Sequence, residues 1–227
     1  MNPRKRQHFL IPESLDNKIA CVEASLTEPR QQTGRTAGAA SPCLLQHRRN
    51  LLRHFRRDEL EQAQARLSRA LPAVRNLFER MSSPGTSALD EAHSVVSDIM
   101  TSGENVGAIA ALAKLKKADE ASFMHSLSVS ALMVAFGRAL EVSESVIHEL
   151  AVGGLVHDIG KIAIPLPILR KTGKLTGGEM AVIQTHPAHG FEMLKRLGGV
   201  GQEILDIALF HHEKFDGTGY PVRLVGR

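Results

Sequence analysis

Aromatic residues are scarce in this chain. Tryptophan is absent from its 227 residues, tyrosine occurs once and phenylalanine eight times. Aliphatic side chains supply most of the 43% of residues that are hydrophobic, which favours helix packing over a β-sandwich or a surface that stacks nucleic-acid bases. The length suits one main domain with a substantial core plus an appendage. The composition therefore predicts a helical domain and no nucleic-acid polymer as partner.

Cysteines and long apolar runs are scarce too. The two cysteines, Cys21 and Cys43, lack the paired CxxC spacing of a zinc knuckle, and they suggest no disulfide framework. The amino-terminal run MNPRKRQHFLIPESLDNK contains no apolar stretch of signal-peptide length. No uninterrupted apolar run approaches the length of a membrane span. We therefore expect a protein of the reducing cytoplasm without a membrane span.

Positive charge is concentrated at one end of the chain. Residues 1–57 hold eleven Lys and Arg against four Asp and Glu, whereas the remainder is mildly acidic. A basic arm can bind nucleic acid or anionic lipid, but residues 1–43 also lack a sustained apolar period, which is typical of a solvated, disordered tail. We predict such a tail at 1–43, followed by amino-terminal helices at 44–104 and a second helical region at 105–227.

The rest of the chain has the periodicity of helices. From Leu44 onward apolar residues recur at spacings of three and four, and Pro72 is expected to break or kink the first helix. Thr176 and Glu179 have the spacing of a capping box, and Gly198 is expected to end a later helix. Strand signals are nearly absent, so the fold class is all-α with about seven to nine helices.

Histidines cluster in the second half of the chain. Seven of eleven lie after residue 120, and five of these sit at predicted helix ends, which can point several side chains at one place. Imidazole together with carboxylate suits divalent first-row metals. Taken alone, His125 and His148 are typical core histidines, and His93 is predicted to be a surface residue. The candidates are His125, the pair His157 and Asp158, His186 with His189, and the pair His211 and His212.

The pair His157 and Asp158 is the strongest local signal. It follows the apolar run LAVGGLV and precedes IGK, so an ionisable pair would be buried there unless a metal or a partner compensates it. One carboxylate can bridge two cations that lie about 3.5 to 4 Å apart. Lys161, three residues further on, would lie on the same helical face and could neutralise a phosphate oxygen, although a solvated surface lysine has the same spacing.

Three motifs together resemble one family. HDIGK at 157–161, HPAHG at 186–190 and HHEKFDGTGYP at 211–221, in this order, are similar to the HD-GYP branch of the HD-domain metal-dependent phosphohydrolases. The resemblance covers residues 105–227 and implies an HD-domain-like helical bundle. It further implies hydrolysis of cyclic di-GMP, a bacterial second messenger, to pGpG or GMP.

The resemblance also implies roles for individual residues. His125, His157, Asp158, His186, His211 and His212 would bind metal, with Asp158 bridging two ions. Asp158 and Lys161 would be the catalytic residues. Lys161 would also bind substrate, together with Asp216, Gly219, Tyr220 and Pro221. The resemblance implies two divalent ions, Fe or Mn, with Mg, Ni, Co and Zn as alternatives. It names diguanylate cyclase (GGDEF) domains as candidate partners.

Two departures from the family pattern affect these expectations. Some relatives hold a third metal through a Glu four residues before the first histidine ligand, where this chain has Ala121, so two metals are expected. The family also continues beyond the Gly-Tyr-Pro motif through helices that supply an Asp ligand and basic residues, which implies a domain incomplete at its carboxyl end. Two other hypotheses are therefore kept: a non-catalytic module that binds cyclic di-GMP or a diguanylate cyclase, and an HD hydrolase of other nucleotides.

Overall fold

The fold is built from helices. The computed structural model describes residues 54–81, 87–114 and 121–226. Within these ranges there are nine α-helices and two 3-10 helices, and the extended backbone is limited to one isolated bridge between Asp216 and Val225. The predicted all-α fold is confirmed. The predicted tail at 1–43 lies outside the described residues, and the boundaries at residues 43 and 104 stay predictions.

The α-helices are α1 (Arg57–Met81), α2 (Ser87–Met100), α3 (Val106–Lys114), α4 (Ala121–Ala139), α5 (Glu144–Val156), α6 (Leu166–Leu169), α7 (Gly177–Ile183), α8 (His186–Leu197) and α9 (Gln202–Phe210). The 3-10 helices are η1 (Gly103–Asn105) and η2 (Ile159–Ala163).

Helix α1 is continuous through Pro72. The helix does not break at Pro72, because α1 runs unbroken from Arg57 to Met81, and a kink at this residue stays a prediction. A proline inside a helix costs about 3 kcal/mol, since it removes one backbone hydrogen bond and crowds the preceding turn. On both sides of Pro72 the same stripe of side chains is buried, including Leu67 and Leu77. Burial of this stripe offsets the cost and keeps the helix in one piece.

Helix α5 lies at the centre of the described fold. It packs against α2, α4 and α9, and every residue from 151 to 160 is buried. Gly153 allows the close approach of α9, since a Cβ at this position would overlap the side chain of Ile207. The apolar helix α4 packs against α1, α2, α3 and α5, and leaves Leu132 and Phe136 44% exposed. The run LAVGGLV is therefore the core segment that leads to His157.

The shorter helices begin and end where the sequence indicated. Thr176 and Glu179 form both hydrogen bonds of the predicted capping box at the start of α7. Helix α8 ends at Leu197, and Gly198 follows with a φ of 72°, a left-handed conformation that glycine adopts without strain. In the described ranges, no helix combines the length and apolar character needed to cross a bilayer.

Gly160 provides a first test of this packing. It lies in η2 against the start of α8, and a Cβ at this position would overlap the carbonyl oxygen of His186 and the backbone of Gly190. We expect Gly160→Ala to lower the free energy of unfolding by about 1 to 3 kcal/mol or more, because backbone cannot move aside as a side chain does. Chemical denaturation of the metal-free protein measures the change.

Gly178→Ala is the matched control. Gly178 lies inside α7, and a Cβ there would meet no atom within 4 Å. This control is expected to be neutral or to stabilise the protein by about 0.5 to 1 kcal/mol, as glycine is a poor helix former. Equal stability of the two variants would contradict the packing described for η2.

Candidate metal centre

Helix ends bring six of the predicted residues together. Helix α5 packs against α4 and α9, η2 packs against α8, and α8 packs against α9. The ends of these elements therefore meet at one place in the described fold. The residues that meet there are His125 in the first turns of α4, His157 and Asp158 after α5, His186 at the start of α8, and His211 and His212 after α9.

The carboxylate of Asp158 lies between two groups of imidazoles. Its side chain is 3% exposed. Oδ1 lies 3.3 Å from Nε2 of His186 and 3.6 Å from Nε2 of His211. Oδ2 lies 3.2 Å from Nε2 of His157 and 3.8 Å from Nε2 of His125. The two oxygens of a single side chain thus face two separate pairs of histidines.

Backbone carbonyls orient three of these rings. Nδ1 of His157, His186 and His211 each lies near the carbonyl oxygen three residues earlier in the chain, at 2.8, 2.7 and 3.1 Å respectively. Since a carbonyl only accepts, each Nδ1 carries the proton, and in the neutral ring Nε2 is then left as an acceptor. The Nε2 atoms of His186 and His211 are 3.1 Å apart. Two lone pairs therefore face each other beside a carboxylate.

A divalent cation fits this arrangement. Oδ1 of Asp158 is buried and has no hydrogen-bond partner among the described residues, which is costly in a folded protein. A metal ion satisfies the orphaned oxygen and the converging nitrogen lone pairs at once, and imidazole with carboxylate is a common ligand set for first-row metals. The candidate ligand atoms form two groups that share Asp158, and within each group they lie within 4.8 Å of one another. One group is Asp158 with His186, His211 and His212, and the other is Asp158 with His125 and His157.

The electrostatics keep the ligand groups in metal-binding form. Burial alone would raise the pKa of the Asp158 carboxyl, but the neighbouring imidazoles lower it far below its usual range, because any proton on their Nε2 atoms points at the carboxylate. Burial, and then the charges of His211 and His186, lower the pKa of His212 to about 4. Burial also lowers the pKa of His125. At neutral pH the Asp158 carboxyl is thus ionised and the rings of His125 and His212 are neutral.

Lys161 also contacts the central carboxylate. Its Nζ donates to Oδ2 of Asp158 at 2.6 Å, and its side chain is 33% exposed. The prediction that Lys161 shares a face with Asp158 agrees with this contact. Its role towards a substrate stays a prediction.

The Gly-Tyr-Pro loop is tied to the histidine cluster. The Glu213 carboxylate accepts hydrogen bonds from the backbone N–H groups of Val222, Arg223 and Leu224 at 2.5 to 2.9 Å. The Tyr220 ring stacks on His212, with centroids 4.6 Å apart. Glu213 therefore holds the loop closed on itself while Tyr220 packs against a predicted ligand.

The other residues of this loop lie in different surroundings. Asp216 is exposed, and its Oδ1 accepts hydrogen bonds from the backbone N–H and the hydroxyl of Thr218. Gly219 is buried under the backbone of 212–214, where a Cβ would clash. Pro221 is exposed. Asp216 and Gly219 thus shape the loop, and the substrate contacts predicted for these three residues and for Tyr220 stay predictions.

A cavity of about 340 Å³ opens beside the cluster. One wall is apolar and comes from Val129, Met133 and Ile207. This wall was not predicted from the sequence. Successive steps of four residues lead from His125 to Val129 and Met133, which places all three on one face of α4. The full lining is His125, Val129, Met133, His157, Asp158, Lys161, Ile207, His211 and His212.

The chain matches the family model described as HD domain over residues 107–227. The match covers more than half of the chain, so the chain belongs to the HD domain family. The recognition made from the three motifs, an HD domain of the HD-GYP type, is confirmed. A solved structure, the HDG"Y"P protein Bd1817 from Bdellovibrio bacteriovorus, has a TM-score of 0.59 at 20% identity and covers 80% of this chain and 60% of its own. This likeness shows the fold.

Curated relatives are named as cyclic-dinucleotide phosphodiesterases. The cyclic di-GMP phosphodiesterase PA4108 of Pseudomonas aeruginosa is 41% identical over 172 residues, 74% of this chain and 41% of the relative. The cyclic di-GMP phosphodiesterase response regulator RpfG of Xanthomonas campestris is 39% identical over 127 residues, 54% of this chain and 32% of the relative. The 3'3'-cGAMP-specific phosphodiesterase 2 of Vibrio cholerae is 51% identical over 75 residues, 31% of this chain and 14% of the relative. The chain therefore spans less than half the length of these relatives.

The lowered pKa of His212 predicts how stability depends on pH. In the unfolded chain this ring takes up a proton near its ordinary pKa of 6.5, whereas in the folded protein it does so only near pH 4. The unfolded state therefore binds more protons in this window, and the metal-free protein should lose stability as the pH falls from about 6.5 to 4. Thermal unfolding at several pH values measures this slope.

His212→Gln should flatten the slope, because it removes one group that the folded state resists protonating. His54→Gln, at an exposed histidine outside both ligand groups, is the matched variant that also removes one histidine ring. Identical slopes in the wild type and His212→Gln would refute the electrostatic description of this ring.

Proposed function

We propose that this chain is a metal-dependent phosphodiesterase that hydrolyses cyclic di-GMP to pGpG or GMP. The observation that supports the proposal best is the position of Asp158, whose two oxygens face two separate pairs of imidazoles. A phosphodiester is an anion that repels hydroxide, so its hydrolysis requires positive charge at the reacting phosphate. The arrangement of ligands provides places for that charge on both sides of one carboxylate.

The number and kind of metal ions are part of the proposal. We assign two divalent ions, one to each ligand group that shares Asp158, with Fe or Mn preferred over Mg, Ni, Co and Zn. When bound, such ions neutralise phosphate oxygens and lower the pKa of a coordinated water to about 7, which makes hydroxide available near neutral pH. Their role requires no serine or cysteine nucleophile from the chain.

The residues of the chain have separate tasks in this proposal. Asp158 and the five histidines hold the ions in place. Lys161 donates to Asp158 in the structure. Cations held by Asp158 would neutralise its carboxylate, and the Lys161 ammonium group would then be free to donate to a non-bridging phosphate oxygen. The apolar wall of Val129, Met133 and Ile207 excludes water from one side of the cavity and offers a surface for a nucleobase.

The substrate is proposed from the relatives. Three of the proteins named cyclic di-GMP phosphodiesterases share 38 to 41% identity with this chain over 104 to 172 residues, and another shares 46% over 77 residues. A second candidate substrate is 3'3'-cGAMP, because the relative named for it is 51% identical over a shorter stretch of 75 residues. The two dinucleotides differ in one base, so the same phosphate chemistry serves both. Diguanylate cyclase (GGDEF) domains are proposed as protein partners and the reducing cytoplasm as the location.

Removal of the bridging carboxylate tests the proposed function. We expect Asp158→Ala to reduce hydrolysis of cyclic di-GMP by Mn- or Fe-loaded protein by more than the roughly 10- to 100-fold typical of residues that act only through a metal ligand. The mutant should also retain fewer metal ions per chain. Nucleotide chromatography and elemental analysis of the same sample measure both quantities.

Asp206→Asn is the matched control, since this exposed aspartate on α9 accepts a hydrogen bond from Gln202 on the same helix and should leave turnover unchanged. Equal turnover by Asp158→Ala would overturn the metal assignment. Stoichiometric binding of cyclic di-GMP without product would instead support the non-catalytic signalling module. Faster turnover of 3'3'-cGAMP would change the substrate, and turnover of linear nucleotides alone would support a general HD nucleotidase.

Lys161 is tested apart from metal binding. We expect Lys161→Met to lower kcat by about 10- to 100-fold, since a positive charge that meets the phosphate is lost, while metal content stays the same or rises. Lys161→Arg should restore part of the activity because the charge is retained. Loss of metal in Lys161→Met would show that the lysine acts by supporting Asp158 and does not act on the phosphate.

A further inference from the structure

A second histidine cluster lies outside the candidate metal centre. His93 on α2 and His148 on α5 stack with ring centroids 5.1 Å apart and planes 10° from parallel. The Glu149 carboxylate lies beside them, with Oε1 3.6 Å from Nδ1 of His148. One ligand atom from each residue lies within 4.8 Å of the other two. From the sequence, His93 was predicted to lie at the surface and His148 in the core, so a contact between them was not expected.

Ser97 determines the orientation of the His148 ring. The Ser97 hydroxyl donates to the carbonyl oxygen of His93 at 2.8 Å, so its oxygen acts as acceptor towards Nε2 of His148 at 3.3 Å. In the neutral ring the proton then lies on Nε2, and Nδ1 presents a lone pair to the carboxylate oxygen of Glu149. Two acceptors face each other across 3.6 Å, which is favourable when a cation lies between them.

Glu149 is oriented from its other side. Its Oε2 lies near Gly201, the residue before α9, because a Cβ built on this glycine would be 3.3 Å from that oxygen. The N-terminal end of a helix carries partial positive charge and holds carboxylates. With Oε2 on the side of Gly201, Oε1 is the oxygen that faces Nδ1 of His148.

We propose that His93, His148 and Glu149 form a second metal site that binds one divalent first-row ion with a preference for imidazole, such as Zn²⁺. Two histidines and one glutamate are an established ligand set for this ion. Metal–ligand bonds of about 2.0 to 2.2 Å allow ligand atoms up to roughly 4.4 Å apart. The three side chains are partly exposed, and ion binding requires them to rotate, because the separations of up to 4.8 Å must shorten and the nearly parallel rings must turn towards one point.

The second site is separate from the first. His148 precedes His157 by nine residues on the same helix axis, which is about 13 Å at 1.5 Å per residue, so the two sites bind ions independently. The ion would connect α2, which precedes the matched residues 107–227, to α5, which lies within them. Metal at this site therefore clamps the amino-terminal helices to the helix that leads to His157 and Asp158.

Metal stoichiometry tests this inference without recourse to catalysis. The 227-residue chain is stripped with a chelator and titrated with Zn²⁺ against a chromogenic competitor. The wild type should bind one more Zn²⁺ per chain than His93→Gln, His148→Gln or Glu149→Gln at matched free zinc, and the double variant His93→Gln/His148→Gln should also lose only one. His54→Gln should bind as the wild type does.

The same titration in an Asp158→Asn background separates this site from the proposed function. The difference of one Zn²⁺ between proteins with and without His93→Gln should persist there, whatever the first centre binds. His93→Cys retains a zinc ligand and should recover the ion, whereas a purely structural histidine would not be replaced in this way. Equal zinc content in His93→Gln, His148→Gln and the wild type would overturn the inference, as would failure of His93→Cys to exceed His93→Gln.

Discussion

The structure depends on one buried carboxylate. Asp158 is almost fully enclosed, yet one of its oxygens has no hydrogen-bond partner among the described residues, and histidine nitrogens surround it on two sides. An anion in such surroundings is stable only beside positive charge. Lys161 supplies part of that charge, and the geometry of the remaining oxygen and imidazole lone pairs leaves places for cations. The packing of α4, α5, α8 and α9 brings these groups together.

Helix ends are suited to this task. A side chain at a helix terminus can be directed towards the terminus of another helix, whereas mid-helix side chains point across the packed interface. Three of the candidate ligand histidines direct Nδ1 at the carbonyl three residues earlier, so the helix end that positions each ring also sets its tautomer. Close contact between η2 and the start of α8 at Gly160 then sets the distance from Asp158 to His186. Both the direction and the protonation of the ligands thus follow from local backbone geometry.

Much of the fold and of the first centre was predictable from short-range patterns. The all-α class followed from apolar spacings of three and four, and the capping box at Thr176 and Glu179 was identified from four residues. The six ligand candidates came from motifs and from the burial implied by LAVGGLV. The helix does not break at Pro72 because the local penalty of the proline is offset by side chains whose burial depends on other helices. The apolar cavity wall was missed because Ile207 joins Val129 and Met133 only when α9 packs against α5.

The sequence by itself determined which residues are chemically able to bind metal and where helices begin and end, because propensity, capping and motif spacing act over a few neighbouring residues. Only the tertiary structure decided which side chains share a site. His93 and His148 are 55 positions apart in the chain and have unremarkable local contexts, yet α2 and α5 place their rings in a stack beside Glu149. Such pairings arise from helix packing over long sequence separations, to which no local pattern is sensitive.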